Sequence, residues 1–250
     1  MSSHSVEPGP SWRTLLSSIG VEGPNCPYCG HEFERMPQRK RSCPSCSGVL
    51  YSRKRPLDGL KVLLTEEQAR EGEGQSALLM LIQEDGLKDV DLDALVRSLQ
   101  GQLGRLPTAE EVVAQQLMRV AATHAEAWRW GLFRNARFNL AESCIRRGLR
   151  EEALRLYLEV CLLDLNGPRN CGTKDPQVTR RFPPFDPSTA FLAPGVVNRT
   201  KDVTADLELS LDDTHRVFEA VAVAVVPGLK LPRSSDDAWG ELSKALYGSA

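Results

Sequence analysis

The chain has 250 residues, 41% of them hydrophobic and 26% charged, the balance of a soluble globular protein rather than a disordered one. A formal net charge of −2 excludes a general polycation, so any basic surface has to be local. No apolar run approaches the roughly 20 residues that cross a bilayer, so no membrane partner is expected.

Residues 1–23 open with MSSHSVEPGPSWRTLLSSIG, which lacks the basic start and long apolar centre of a secretory leader. They are expected to be a flexible N-terminal segment of a cytoplasmic protein, a setting in which thiols stay reduced unless a metal holds them.

Residues 24–57 carry four of the seven cysteines, in the stretch CPYCGHEFERMPQRKRSCPSCSG. Cys26 and Cys29 are two residues apart, as are Cys43 and Cys46, with thirteen residues between the pairs. Each Cys-x-x-Cys turn lets two thiolates reach one ion, and two such turns complete a tetrahedral site. Pro27 and Pro44 pre-set φ at the start of each turn. Gly30 can take the positive φ that leaves the first turn, whereas the second turn has Ser47 before Gly48. The spacing and turn chemistry of residues 24–52 resemble the zinc-ribbon family, which implies one structural zinc ion held by Cys26, Cys29, Cys43 and Cys46. A rubredoxin-like iron centre would use the same turns. Thioredoxin-like redox pairs would need a βαβ setting that the flanks do not supply. His31 reads as a solvated loop residue beside four better ligands. A closed four-thiolate site leaves no position for water or substrate and argues against hydrolysis at the metal.

Seven basic residues lie between positions 35 and 55 with no acid among them: Arg35, Arg39, Lys40, Arg41, Arg53, Lys54 and Arg55. Presented on one face, they would form a nucleic-acid footprint through counterion release. Phe33 and Tyr51 could stack on bases or form the ribbon's own core. A solvated face and an acidic protein partner are the competing readings.

Residues 58–90 read as a hinge and short helix. Thr65 and Gln68 have capping-box spacing, and Gly72 and Gly74 are expected to end the helix. The span 91–168 reads as a helical domain. Leu92, Leu95, Val96, Leu99 and Leu103 form one stripe ending at Gly104. Thr108 with Glu111 opens a longer helix, with Val113, Leu117, Val120, His124 and Trp128 on its inner face and His124 a core histidine.

Residues 131–168 read as two antiparallel helices joined at Gly148, with Leu140, Ala141, Ala153 and Tyr157 at close-packing positions. They resemble one tetratricopeptide hairpin, and for that family the implied partner is a protein. Cys144 and Cys161 read as small hydrophobes, and Arg137, Glu142 and Asp164 as helix-surface charges.

Residues 169–203 read as a proline-rich connector held down by Phe182, Phe185 and Phe191. Residues 204–250 read as C-terminal helices: Ser210–Val226, with Val217, Phe218, Val221 and Val225 inward and stopped by Pro227-Gly228, then a last helix from near Asp236 burying Trp239, Leu242 and Leu246. The order of ribbon, LLTEEQA and LYLEVCLLDLNGPRN is similar to that of a set of bacterial and phage-associated zinc-ribbon proteins, a likeness that implies boundaries and no activity.

The fold expected is therefore a small zinc-ribbon β module followed by a mainly α-helical domain, a bundle or a tetratricopeptide-like array. Phosphate-binding, dinucleotide, HExxH and Gly-x-Ser-x-Gly motifs are absent, so a non-enzymatic protein is expected. Two functions stay open: nucleic-acid association through the basic ribbon, or a protein–protein adaptor using ribbon and helices.

Overall fold

The computed structural model describes residues 11–83, 91–225 and 231–248, and the chain divides between Val113 and Ala114 into two units. The first is organised on an antiparallel sheet of four strands in the order β1-β4-β3-β2. They are β1 (Val21–Glu22), β2 (Arg41–Ser42), β3 (Val49–Lys54) and β4 (Lys61–Leu64). Side chains alternate along a strand, and here the alternation makes two small cores. Leu50 and Leu63 join Phe33, Cys26 and Cys43 in one, while Val62 and Leu64 join Ile19 and Ala69 in the other.

A ribbon confined to residues 24–57 would leave Val62, Leu63 and Leu64 in water. Instead they form β4, a central strand paired with β3 on one edge and β1 on the other. The expected hinge at 58–64 is thus a hairpin. Its turn is closed by Gly59 N–H donating to the Arg55 carbonyl and Arg55 N–H to that of Leu60, each at 2.8 Å. The Asp58 carboxylate accepts from Leu60 N–H at 3.1 Å.

Nor are residues 11–23 a free tail. Leu15 and Ile19 are buried, and the Ser11 hydroxyl and Trp12 N–H both donate to Asp93 Oδ1 at 2.9 Å. Those donors, the Trp12 amide first, hold the Asp93 carboxyl below its usual range.

Thr65 and Gln68 make the capping box that opens α1 (Glu66–Gln83), but this helix runs through Gly72 and Gly74. A Cβ on Gly72 would lie 3.0 Å from Ile19 Cδ1, and one on Gly74 3.0 Å from a Glu110 carboxylate oxygen. Both glycines therefore mark close approach of neighbours and not a helix end. The remainder of the expected hinge, 84–90, lies outside the described residues. Asp91 caps α2 (Leu92–Leu103), which buries Leu92, Leu95, Val96 and Leu99. Leu103, expected to complete that stripe, is exposed. This helix belongs to the first unit and not, as its helical pattern suggests, to the helices that follow.

The Thr108–Glu111 capping box opens α3 (Ala109–Glu126), which begins in the first unit and continues into the second. His124 is half-buried and its Nδ1 has no partner; burial, with the nearby Arg129, holds the imidazole pKa below its usual value. Trp128 does not extend the inner face, because the chain has left the helix and takes a φ of +52° there.

The second unit is organised on α4 (Trp130–Arg146) and α5 (Arg150–Asn166), an antiparallel hairpin that turns at Gly148. Leu140, Ala141, Ala153 and Tyr157 are buried as the pattern requires. Of the 17 residues of α5, 13 are buried, which makes it the central helix of this unit. It packs against α4, α7 (Pro194–Asp206), α8 (Leu211–Ala224) and α9 (Ser235–Tyr247). Cys144 and Cys161 are buried in it, and burial pushes the Cys161 thiol up to about 12.

The expected surface charges are instead paired, with Asp164 buried and Arg137 and Glu142 half-buried. Arg134 makes a two-pronged pair with Asp164 at 2.7 and 2.6 Å, and Arg137 pairs with Glu159. Tyr157 donates to Glu142 at 2.5 Å, and Glu142 also accepts from Arg199. The two carboxylates that α5 buries, Glu159 and Asp164, have to be neutralised by partners, and α4 supplies both.

Only part of the 169–203 connector is extended, since it holds α6 (Pro176–Arg181) and most of α7. Phe185 is buried, its ring 5.5 Å from that of Trp130, but Phe182 and Phe191 are exposed and do not anchor it. Ser210 caps α8 in a full capping box with Asp213. The expected stop at Pro227-Gly228 lies outside the described residues. Ala238, Leu242 and Leu246 are the buried residues of α9, while Trp239 is half-buried and stacks on His215.

Gly167 pins the connector to the end of α5. It takes a φ of +63°, accepts from Asp186 N–H at 2.9 Å, and would carry a Cβ only 2.0 Å from the Asp186 carbonyl oxygen. Left-handed strain costs about 1–2 kcal/mol and overpacking about 1–3 kcal/mol. Gly167→Ala should therefore lower the stability of the second unit by about 2–5 kcal/mol in urea unfolding. A loss under about 1 kcal/mol would mean that the connector is not held there.

Candidate metal centre and its cationic rim

The four cysteines converge. Cys26, Cys29, Cys43 and Cys46 place their Sγ atoms within 4.8 Å of one another, and they form the one such cluster found among the described residues. The Cys26–Cys46 and Cys29–Cys43 sulfur distances are both 3.8 Å. That is the edge of a tetrahedron whose centre-to-sulfur arm is about 2.3 Å, the length of a metal–thiolate bond. The residues present therefore fit a single tetrahedral metal ion. His31 is not in the cluster; its ring packs edge-on against Phe33 at 5.1 Å.

Two equivalent turns hold the sulfurs. Gly30 N–H donates to the Cys26 carbonyl and Cys26 N–H to that of His31, each at 2.9 Å; Ser47 N–H to Cys43 and Cys43 N–H to Gly48 repeat the pattern at the same distance. The asymmetry expected from sequence is absent from the backbone, because Ser47 (φ +60°) takes the left-handed conformation that Gly30 (φ +74°) takes in the first turn. Pairing of β2 with β3 closes the second turn, an Asn25–Glu32 bridge closes the first, and the Tyr28 hydroxyl, donating to the Val49 carbonyl at 3.0 Å, links the two.

Cys26 and Cys43 are buried, Cys29 and Cys46 exposed, so the site bridges the small core and the surface. Proximity separates the thiols. For Cys43, burial resists ionisation, but N–H groups of Cys46 and Ser45 outweigh it and bring the thiol down to about 6. For Cys46, the Gly48 N–H favours the thiolate, but the sulfurs around it, Cys29 foremost, push it up to about 12. A cation among the sulfurs removes that conflict and lets all four ionise.

The basic residues do not gather on one face. Arg35, Arg39, Lys40, Arg41, Arg53 and Lys54 are exposed, but Arg55 is 4% exposed and inward. Its guanidinium donates to Asp58 and Glu22, both at 2.6 Å, and to the Ser18 hydroxyl at 2.9 Å. Asp58 and then Glu22 push its pKa further up. Arg55 is thus a clamp joining β1, the hairpin turn and residues 18–19, and is not available to a phosphate. The residue that replaces it is Lys61, exposed and opposite Lys54 in the β3–β4 register. A hinge reading of KVLL conceals it, although the LDG turn between two apolar runs is a hairpin signal.

Strand alternation sends Arg53 and Lys54 to opposite faces. Lys40 and Arg53 flank Tyr51, with Nζ 4.9 Å and Cζ 6.0 Å from the ring centre, while Arg41 lies over Phe33 at 5.2 Å. Phe33 is core, and Tyr51 is half-buried beneath two cations, so neither is a free stacking platform. No carboxylate pairs with any of the six exposed basic residues among the described residues, in contrast to Arg55, Arg134 and Arg137.

No helix among the described residues is long and apolar enough to cross a membrane. Comparison with known proteins finds no matching family model, no matching curated protein and no matching solved structure.

Purified protein should carry one metal ion per chain by elemental analysis, and Cys43→Ser should lose it. A Cβ added at Gly30 would meet nothing within 4 Å, so Gly30→Ala should weaken metal binding through backbone strain alone, by about 1–2 kcal/mol. At the equivalent position Ser47→Gly should gain up to about 1 kcal/mol. If both substitutions weaken binding equally, the two turns are not equivalent.

Proposed function

We propose that the cysteine cluster holds one structural zinc ion in a zinc-ribbon module, and that the cationic rim around Tyr51 binds the phosphate backbone of a nucleic acid. Zinc is the ion best suited to four thiolates in a closed tetrahedral site, with no redox chemistry of its own. Four protein ligands leave no open position, so the ion's role is to fold the module rather than to act on a substrate. The observation that supports the nucleic-acid reading is the pair of exposed cations at Tyr51, Lys40 and Arg53, neither of which meets a carboxylate among the described residues, in a chain whose net charge is −2. Elsewhere the arginines that the fold needs are matched to carboxylates. Lys40 and Arg53, held over one ring, are the two cations placed closest to a common phosphate path. The contacts are to backbone and not to base edges, so affinity without strong sequence preference follows.

The test is fluorescence anisotropy of single- and double-stranded oligonucleotides with the full-length protein across a salt series. Affinity should fall steeply with salt. Lys40→Ala with Arg53→Ala should reduce the log–log slope by roughly 1.4–1.8, since each lost phosphate contact removes about 0.7–0.9. The metal content should stay unchanged, because neither residue is a ligand. Absence of binding at low salt, or a slope indifferent to the double variant, would overturn this reading in favour of an acidic protein partner.

A further inference from the structure

The second unit contains a cavity of about 840 Å³ bounded by α4, α5 and α8. That volume lies in the range of small-molecule sites, roughly 300–1,000 Å³. Its walls are apolar where Phe133, Leu209, Val217, Val221 and Val225 meet it, and five charged side chains interrupt them. Four of the five cancel in pairs: Arg137 with the buried Glu159, and Arg216 with Asp213. The fifth, Arg155, is exposed and makes no ion pair or hydrogen bond among the described residues. A smaller hollow of about 270 Å³, lined by Leu154, Leu207 and the exposed Glu151, shares Arg155, Leu209 and Val217 with the first. Arg155, without an ion pair to Glu151 or to any other carboxylate among the described residues, thus stands where the two hollows meet.

We propose that this cavity binds an amphipathic carboxylate, its hydrocarbon chain lying against Phe133, Val217 and Val221 and its head group on Arg155. Charge decides the class of ligand. The lining carries one uncancelled positive charge, so a singly charged anion neutralises it, whereas a cation would be repelled. The apolar walls require a chain rather than a hydrated inorganic ion, which would keep its water and gain nothing from Phe133 or Val221. The guanidinium fork matches a carboxylate in two-pronged geometry. The charge of Arg137 next to it is already balanced by Glu159, which takes its Nε and Nη2 donors.

The test is calorimetric titration of the full-length protein with decanoate below its micellar concentration, alongside decanol and decylamine. Decanoate should bind saturably at one per chain, and decanol at least about tenfold more weakly, for want of the charged hydrogen bonds. Arg155→Gln should weaken decanoate about tenfold or more and leave decanol unaffected. Ala220→Phe, which places a ring in the cavity from an exposed position, should weaken both. Circular dichroism should be unchanged in both variants, since neither site is buried. Failure to saturate, equal affinity for decanol, or indifference to Arg155→Gln would overturn the proposal. So would a dimer in solution that Ala220→Phe dissociates, because a second copy would then cover this face.

Discussion

Four thiolates brought within 4.8 Å of one another repel unless a cation sits among them, and the N-terminal sheet is arranged around that constraint. Cys26 and Cys43 belong both to the cysteine cluster and to the small core with Phe33, Leu50 and Leu63. A metal ion bound there would therefore be tied directly to the apolar packing, and its binding would add to the stability of the sheet. The strands beyond the cysteines complete the arrangement: β4 lies between β3 and β1, and Arg55 ties the turn to Glu22 from below the surface.

The second unit meets the need for internal order by other means. Its central helix is apolar almost all round, the signature of a helix enclosed by others. The two carboxylates it buries, Glu159 and Asp164, would be costly to bury alone and are each held by an arginine of α4. Such pairs add less to stability than their geometry suggests, because both partners lose water. Their effect is on register: a slip of one residue along the hairpin would leave two carboxylates unpaired. Arg155 of the same helix, by contrast, has no carboxylate partner among the described residues where it lines the cavity.

The parts legible in the sequence are those with a local rule behind them. Cys-x-x-Cys spacing, the Thr65, Thr108 and Ser210 caps, the α2 stripe and the Gly148 turn each depend on residues within a few positions of one another. What escapes a local reading is set by partners far along the chain. VLL at 62–64 becomes a central strand because residues 21–22 and 51–54 come to it. Gly72 and Gly74, helix stops by local propensity, are instead clearances for Ile19 and Glu110. The basic cluster is visible as a run, but membership depends on side-chain direction: Arg55 turns inward on carboxylates of residues 22 and 58, and Lys61 takes its place. Buried charges in the α4–α5 hairpin are hidden for a similar reason, since a charge in a helical pattern reads as surface until its partner on the next helix is known.

The proposed zinc centre requires that all four thiolates, and no other group, close around one ion. X-ray absorption at the zinc edge of the full-length protein measures it directly. The geometry requires a first shell fitted by four sulfurs at about 2.3 Å. A shell that needs a nitrogen or oxygen at about 2.0–2.1 Å would mean that a cysteine has been displaced, by His31 or by water, and would contradict a closed four-thiolate site.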